Sequence, residues 1–333
     1  IYSVSRISFS LFGSKYYDIA KNLGLSGYQT LIKVLLPLSK PAIFSGLFLV
    51  IMEVLNEYGA VKYFGVNTYT IGIFRSWNSM NDSGAAIQLS SILLFIVAFL
   101  FFVEKYFNQN KRFSFSKNTQ LASLIKPNNS VKFLIYLICL IPIILAFLIP
   151  VLFNFINIFS SYDDINFERL LNLTFNSFSV SLIASILILI VSTFFLYNEK
   201  ISKSKVYYYI NQFISLGYSI PGAVVALAVV ISVTGLDNLN DNIKLLGSFS
   251  VYFLILIYAY IIRFMAVGKS PIKSSLEKHP ESYDNSAKNL GLSNFKIFQK
   301  IYFPINKYAF FTALILVFID LMKELPITLI LRP

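Results

Sequence analysis

The sequence predicts an all-α protein, a polytopic transmembrane helical bundle built from two related halves. Three observations carry that prediction. The 333 residues are 56% hydrophobic and only 13% charged, with a mean hydropathy of +0.68, too apolar for an ordinary soluble surface. Seven stretches are long and apolar enough, or nearly so, to cross a bilayer. One loop pattern occurs twice, 267 residues apart.

A bilayer core takes about 20 mostly apolar residues per helix, with roughly 17 to 25 tolerated. The stretches run approximately from Pro41 to Tyr58, Ile87 to Val103, Lys132 to Phe153, Leu173 to Leu196, Tyr207 to Val233, Phe249 to Val267 and Tyr308 to Leu325. The fifth contains Ile220-Pro221-Gly222, which should break or kink its helix because proline removes a backbone donor. Such a break is tolerated only where protein or a water-filled path satisfies the freed groups. Cys139 reads as a small packing residue inside the third stretch, and as the single cysteine it excludes a disulfide framework or thiolate metal site. His279, the one histidine, lies in a Lys-rich loop as an exposed residue, so a histidine metal cage is excluded by ligand count.

Seven alternating spans dictate which loops share a side, and the positive-inside rule checks that parity independently. Loops 1–40, 104–132, 197–206 and 268–307 hold most of the Lys and Arg, while the opposite loops hold only Lys62, Arg75, Arg169, Lys244 and Arg332. The basic loops are therefore cytoplasmic. The net charge of +12 is spread between apolar stretches without a compact basic domain, so a membrane explains it and no nucleic-acid partner is expected. Arg263 is expected near the cytoplasmic end of its span, snorkelling to the interface.

The repeat begins in the first cytoplasmic loop. Asp18-Ile19-Ala20-Lys21-Asn22-Leu23-Gly24-Leu25-Ser26 is followed by Pro37, and Asn285-Ser286-Ala287-Lys288-Asn289-Leu290-Gly291-Leu292-Ser293 by Pro304. The same offset pairs Lys33 with Lys300, Lys40 with Lys307, Phe44 with Phe311, Glu53 with Asp320 and Glu57 with Glu324. A register held without a gap is an internal duplication, whose halves would pack about a pseudo-two-fold axis. Each loop reads as a short helix, a glycine hinge at Gly24 or Gly291, a second short helix, and a proline suited to open the next span. Ala20 and Ala287 offer small faces for close approach of a partner.

Alanine, then glycine four residues later, then proline thirteen beyond, resembles the cytoplasmic "EAA" loop of binding-protein-dependent ABC importer permeases. Similarity extends along the chain, most closely to the fused-halves permeases of ferric-iron importers. It is carried by Glu53-Val54-Leu55-Asn56-Glu57-Tyr58-Gly59, Thr70-Ile71-Gly72-Ile73-Phe74-Arg75-Ser76-Trp77, Gly217-Tyr218-Ser219-Ile220-Pro221-Gly222, Tyr260-Ile261-Ile262-Arg263-Phe264 and Asp320-Leu321-Met322-Lys323-Glu324-Leu325-Pro326. The resemblance implies a MetI-like permease architecture in a bacterial inner membrane, set among lipid. It implies an ATPase-coupling role for Asp18, Ala20, Gly24, Pro37, Asn285, Ala287, Gly291 and Pro304. It also implies two copies of a cytoplasmic ABC ATPase and a periplasmic substrate-binding protein as partners. The family's glutamate is Asp18 in one loop and Asn285 in the other, so the two docking sites differ. Thiamine, polyamine and sulphate permeases share parts of the pattern, which leaves thiamine or a polyamine open beside ferric iron as cargo.

On this reading residues 1–106 form the C-terminal part of a first permease half, 107–130 a cytoplasmic linker, and 131–333 a second half lacking its last span. The chain is expected to be a fragment at both ends. It starts at Ile1 without a signal peptide, and each copy of the loop lacks spans that the other possesses.

Glu53, Glu57, Asp320 and Glu324 lie in or at the outer end of the helix after each loop. A charge at mid-bilayer costs about 2.5 to 3.5 kcal/mol on insertion scales, so these residues should face protein or water. The i, i+4 spacing puts each pair on one helix face. Two roles stay open: an acidic lining of a translocation path favouring a cation, or gate-stabilising hydrogen bonds and ion pairs with Lys323 or Arg75. No resident metal or cofactor is expected in this chain. Gly268-Lys269-Ser270 lacks the earlier glycine of a phosphate loop, so ATP would be used by the partner subunit. A membrane-embedded enzyme is the reading from another class, and no nucleophile–base constellation supports it.

Overall fold

The computed structural model describes residues 2–108, 128–160, 166–202, 204–239, 249–277 and 282–332. Among them every regular element is helical. The helices are α1 (Tyr2–Asn22), α2 (Gly27–Asn56), α3 (Gly59–Tyr63), α4 (Tyr69–Phe74), α5 (Ser83–Asn108), α6 (Asn129–Ser160) and α7 (Phe167–Ser202). They continue with α8 (Lys205–Ile214), α9 (Gly222–Leu239), α10 (Phe249–Leu276), α11 (Ser282–Asn289), α12 (Asn294–Met322) and α13 (Pro326–Leu331). Among the described residues six helices are long and apolar enough to cross a membrane, or seven if one bent pair forms a span. That pair, Lys205–Ser219 and Gly222–Leu236, turns by 114° where the sequence places Pro221. His279 and residues 109–127 of the expected linker lie outside the described residues.

Two compact units divide the chain: Ile1–Ile43 with Arg112–Asn176, and Phe44–Lys111 with Ser177–Pro333. In the first unit, α1 packs on the start of α2. Helix α6 is predominantly apolar, yet no residue in it is buried. Cys139 is therefore exposed rather than packed, because the helix around it presents every face outward.

In the second unit α10 and α12 form the most extensive helix pair, and α7 joins them. Small side chains set the spacing. On α7 a stripe of Ser181, Ala184, Ser185, Ile188 and Ser192 is buried. Gly268 of α10 has Ile188 and Val317 only 3.1 and 3.3 Å from where a Cβ would stand. In lipid, helices gain little from the hydrophobic effect, so such close approach supplies the packing attraction instead. A second core cluster, with Leu196, Ile272, Ala287, Ile297, Tyr302 and Phe310, fastens the second copy of the loop to these spans. Lys269 is also buried: its ammonium donates to the Asn211 carbonyl and to Ser215 Oγ, tying α8 to α10. The Gly-Lys-Ser triplet thus sits inside a helix and cradles no phosphate.

Candidate functional site

The duplicated loop folds the same way twice. Helix α1 ends at Gly24 with φ +82°, and α11 ends at Gly291 with φ +74°. The Gly24 N–H donates to the Lys21 carbonyl and the Leu25 N–H to the Ala20 carbonyl, at 3.0 and 3.1 Å. Their counterparts, Gly291 to Lys288 and Leu292 to Ala287, measure 2.9 and 3.2 Å. These two bonds define a Schellman cap, which requires the left-handed backbone that glycine adopts at least cost. The next helix then starts at Gly27 and at Asn294, again 267 residues apart. Ser26 forms a capping box with Gln29, whereas Ser293 makes no side-chain cap, and Lys296 in the glutamine's place has no acceptor for the Ser293 N–H.

Several expectations for the loop change in detail. The helix before the first hinge is long, 21 residues against 8 for α11. Pro37 and Pro304 do not open their spans. Each helix arrives already formed through a π turn, Leu31–Leu35 and Phe298–Tyr302, in which Leu36 N–H reaches the Leu31 carbonyl and Phe303 N–H the Phe298 carbonyl. A proline that donates no N–H follows directly, and the widened turn accommodates it within a continuous helix. Ala20 and Ala287 are buried within the chain at 2% and 1% exposure, so they are not offered to a partner. The outward surface belongs to residues the sequence reading passed over: Leu23 and Leu290 are 76% and 80% exposed, Tyr28 and Phe295 74% and 72%. Their shared offset was the available signal. Asp18 is exposed, and the Asn285 side chain lies outside the described residues.

At the other end of α2 and α12, the second unit encloses a cavity of about 230 Å³, lined by Glu53, Asn56, Glu57, Tyr218, Arg263, Lys323 and Glu324 among others. The duplicated glutamates do the same local work. Glu57 Oε1 accepts the Ala60 N–H at 2.9 Å, and Glu324 Oε1 the Ile327 N–H at 3.3 Å, so each caps the short helix that follows its span. Glu53 and Asp320 share one cation: Lys323 Nζ lies 3.5 Å from Glu53 and 3.1 Å from Asp320. Tyr218 donates its hydroxyl to the other Glu53 oxygen at 3.2 Å. Partial burial lowers the proton affinity of Lys323, but Asp320 and Glu53 outweigh that and hold its pKa above the ordinary lysine value. The ion pair expected with Lys323 or Arg75 falls to Lys323. All four predicted acidic residues thus gather around one cavity, three lining it and Asp320 joined through Lys323.

Arg263 corrects its expectation most clearly. It is 3% exposed and does not snorkel; its Nη1 donates to Asn56 Oδ1 at 3.1 Å and to Glu324 at 3.4 Å. Asn56 Oδ1 also accepts the Gly222 N–H at 2.7 Å, which caps α9 at the break in the bent pair. A Cβ there would push aside the Arg263 guanidinium and the Glu324 carboxylate, the tips of two long side chains. A Cβ at Gly217 would collide with the Ile262 carbonyl. Among the described residues no three of His, Cys, Asp or Glu stand close enough to hold a metal ion.

The family described as binding-protein-dependent transport system inner membrane component matches residues 4–113 and 200–332, each match containing one copy of the loop. The Fe(3+)-transport system permease protein FbpB 2 of Haemophilus influenzae is 27% identical over 320 residues. That alignment covers 94% of this chain and 61% of the relative, so the chain spans less than two thirds of its length. No solved structure matches the chain. Matched by that family over most of its length, and with at least six helices among the described residues long and apolar enough to cross a membrane, the chain belongs to the binding-protein-dependent transport system inner membrane components and is a multi-pass permease protein of the bacterial inner membrane.

Proposed function

We propose that this chain is the permease of an ATP-driven importer of ferric iron, taking cargo from a periplasmic binding protein and passing it inward by alternating access. Two copies of a cytoplasmic ATPase dock on the paired loops. Residues 1–106 and 131–333 serve as the two related halves, with 107–130 as the linker between them. ATP hydrolysis belongs to the partner subunit, and the chain carries no cofactor.

The observation that supports this best is the loop repeat: two copies at one offset share the same cap and the same outward pair of large apolar side chains. A loop with no partner has no reason to repeat that surface. For the cargo, support comes from the relative's name and from the carboxylate and phenol oxygens around the cavity, hard donors that suit a trivalent cation. Proteoliposomes holding the full-length permease, its ATPase and its binding protein test the reading with labelled ferric iron, thiamine and putrescine. ATP-dependent accumulation of iron alone supports it. Accumulation of thiamine or putrescine instead, or accumulation without ATP, refutes it.

A further inference from the structure

The cavity at the broken span has a polarity that a path for bare cations does not need. Helix α9, 18 residues long, begins at Gly222 with its N-terminus at the guanidinium of Arg263. A helix N-terminus carries a partial positive charge, and here a full positive charge is buried against it. Among the described residues the acidic group that meets both is Glu324, held by two long contacts, 3.4 Å to Arg263 and 3.3 Å to the Ile327 N–H. Arg263 Nε is buried and has no hydrogen-bond partner among the described residues, although Arg263 lines the cavity. Lys323 lines the same cavity. Discontinuous membrane helices whose half-helix N-termini point at a cavity are a recurrent way of holding an anionic group of a transported solute.

We infer that the cavity accepts an oxyanion, a carboxylate or phosphate group that travels with the cargo, at the N-terminus of α9 beside Arg263, and that Glu324 stands in its place when the site is empty. Once Glu324 is displaced the guanidinium offers the oxyanion its Nη1, and the unpartnered Nε shows that the buried charge is under-satisfied. The missing Cβ at Gly222 lets the guanidinium and the Glu324 carboxylate lie against the helix end, the position the oxyanion takes on displacing Glu324, and Lys323 supplies a second positive charge in the lining. The inference rests on the cavity being part of the path and not on which metal passes.

Thermal unfolding of the full-length permease in lipid nanodiscs, titrated with inorganic phosphate and separately with citrate, tests it without iron or ATP. Removing the internal competitor with Glu324→Gln should tighten binding about tenfold relative to wild type, read as stabilisation at a tenfold lower anion concentration. Arg263→Gln combined with Glu324→Gln should abolish that stabilisation. If Glu324→Gln does not fold, Glu324→Asp, which withdraws the carboxylate by one methylene, should show the same ordering more weakly. Response to phosphate but not citrate assigns a small tetrahedral group, and the reverse assigns a carboxylate. No response to either anion in any variant, or equal response in the double variant, overturns the inference and leaves the transport reading to its own assay.

Discussion

Replacing Glu324 by glutamine preserves the side chain's shape and removes its charge, leaving Arg263 buried beside the start of α9 without a counter-ion. The two side chains are 6% and 4% exposed and 3.4 Å apart. At that separation and an effective dielectric of 20, the Coulomb attraction is about 5 kcal/mol. Removing one partner of a buried pair typically costs about 3–5 kcal/mol. Some of that is retained here. Asn56 Oδ1 still accepts from Nη1 at 3.1 Å, and a glutamine carbonyl still caps the Ile327 N–H. The expected loss is therefore about 2–3 kcal/mol. Unfolding of the purified permease in mixed micelles measures it, with Arg263→Gln and the double variant completing a cycle. The coupling energy should fall at about 1–3 kcal/mol. Additive single effects, with coupling within about 0.5 kcal/mol of zero, would show that the pair does not hold the break and refute the reasoning.

Other substitutions separate packing from docking. Gly217→Ala places a Cβ against the Ile262 carbonyl, and because that neighbour is backbone the loss should be at least about 1–3 kcal/mol, seen as lower thermal stability and protease cleavage near residue 217. Gly24→Ala and Gly291→Ala meet nothing within 4 Å and should cost only the left-handed backbone term, about 1–2 kcal/mol each, read as faster amide exchange in residues 19–30 and 286–297. Lys323→Gln should change stability by no more than about 1 kcal/mol, because its side chain is 58% exposed, yet should let La³⁺ inhibit uptake at lower concentration by freeing Glu53 and Asp320.

The spans were legible because bilayer-crossing helices are selected by local composition and length, and the break at Pro221 because proline acts on its own turn. The loops were legible from the repeat, and Gly24 and Gly291 take the left-handed conformation that a cap requires. Arg263 was misplaced because its partners, Asn56 and Glu324, are 207 and 61 residues away in sequence. Hydropathy near Arg263 says nothing about a cavity built by other helices. Ala20 and Ala287 were assigned to the wrong side of the loop for a related reason: small size signals close approach but not to what. Leu23 and Leu290 look like core residues by type, and only exposure distinguishes them from their neighbours.

Paired docking of two ATPase copies on the two loops is tested most directly by counting those copies. Leu23→Asp and Leu290→Asp alter side chains exposed by 76% and 80%, so folding should shift by no more than about 0.5 kcal/mol. Native mass spectrometry of the full-length permease with its ATPase should then show two ATPase copies on wild type, one on either single variant and none on the double. Two copies retained on the double variant would contradict the central claim.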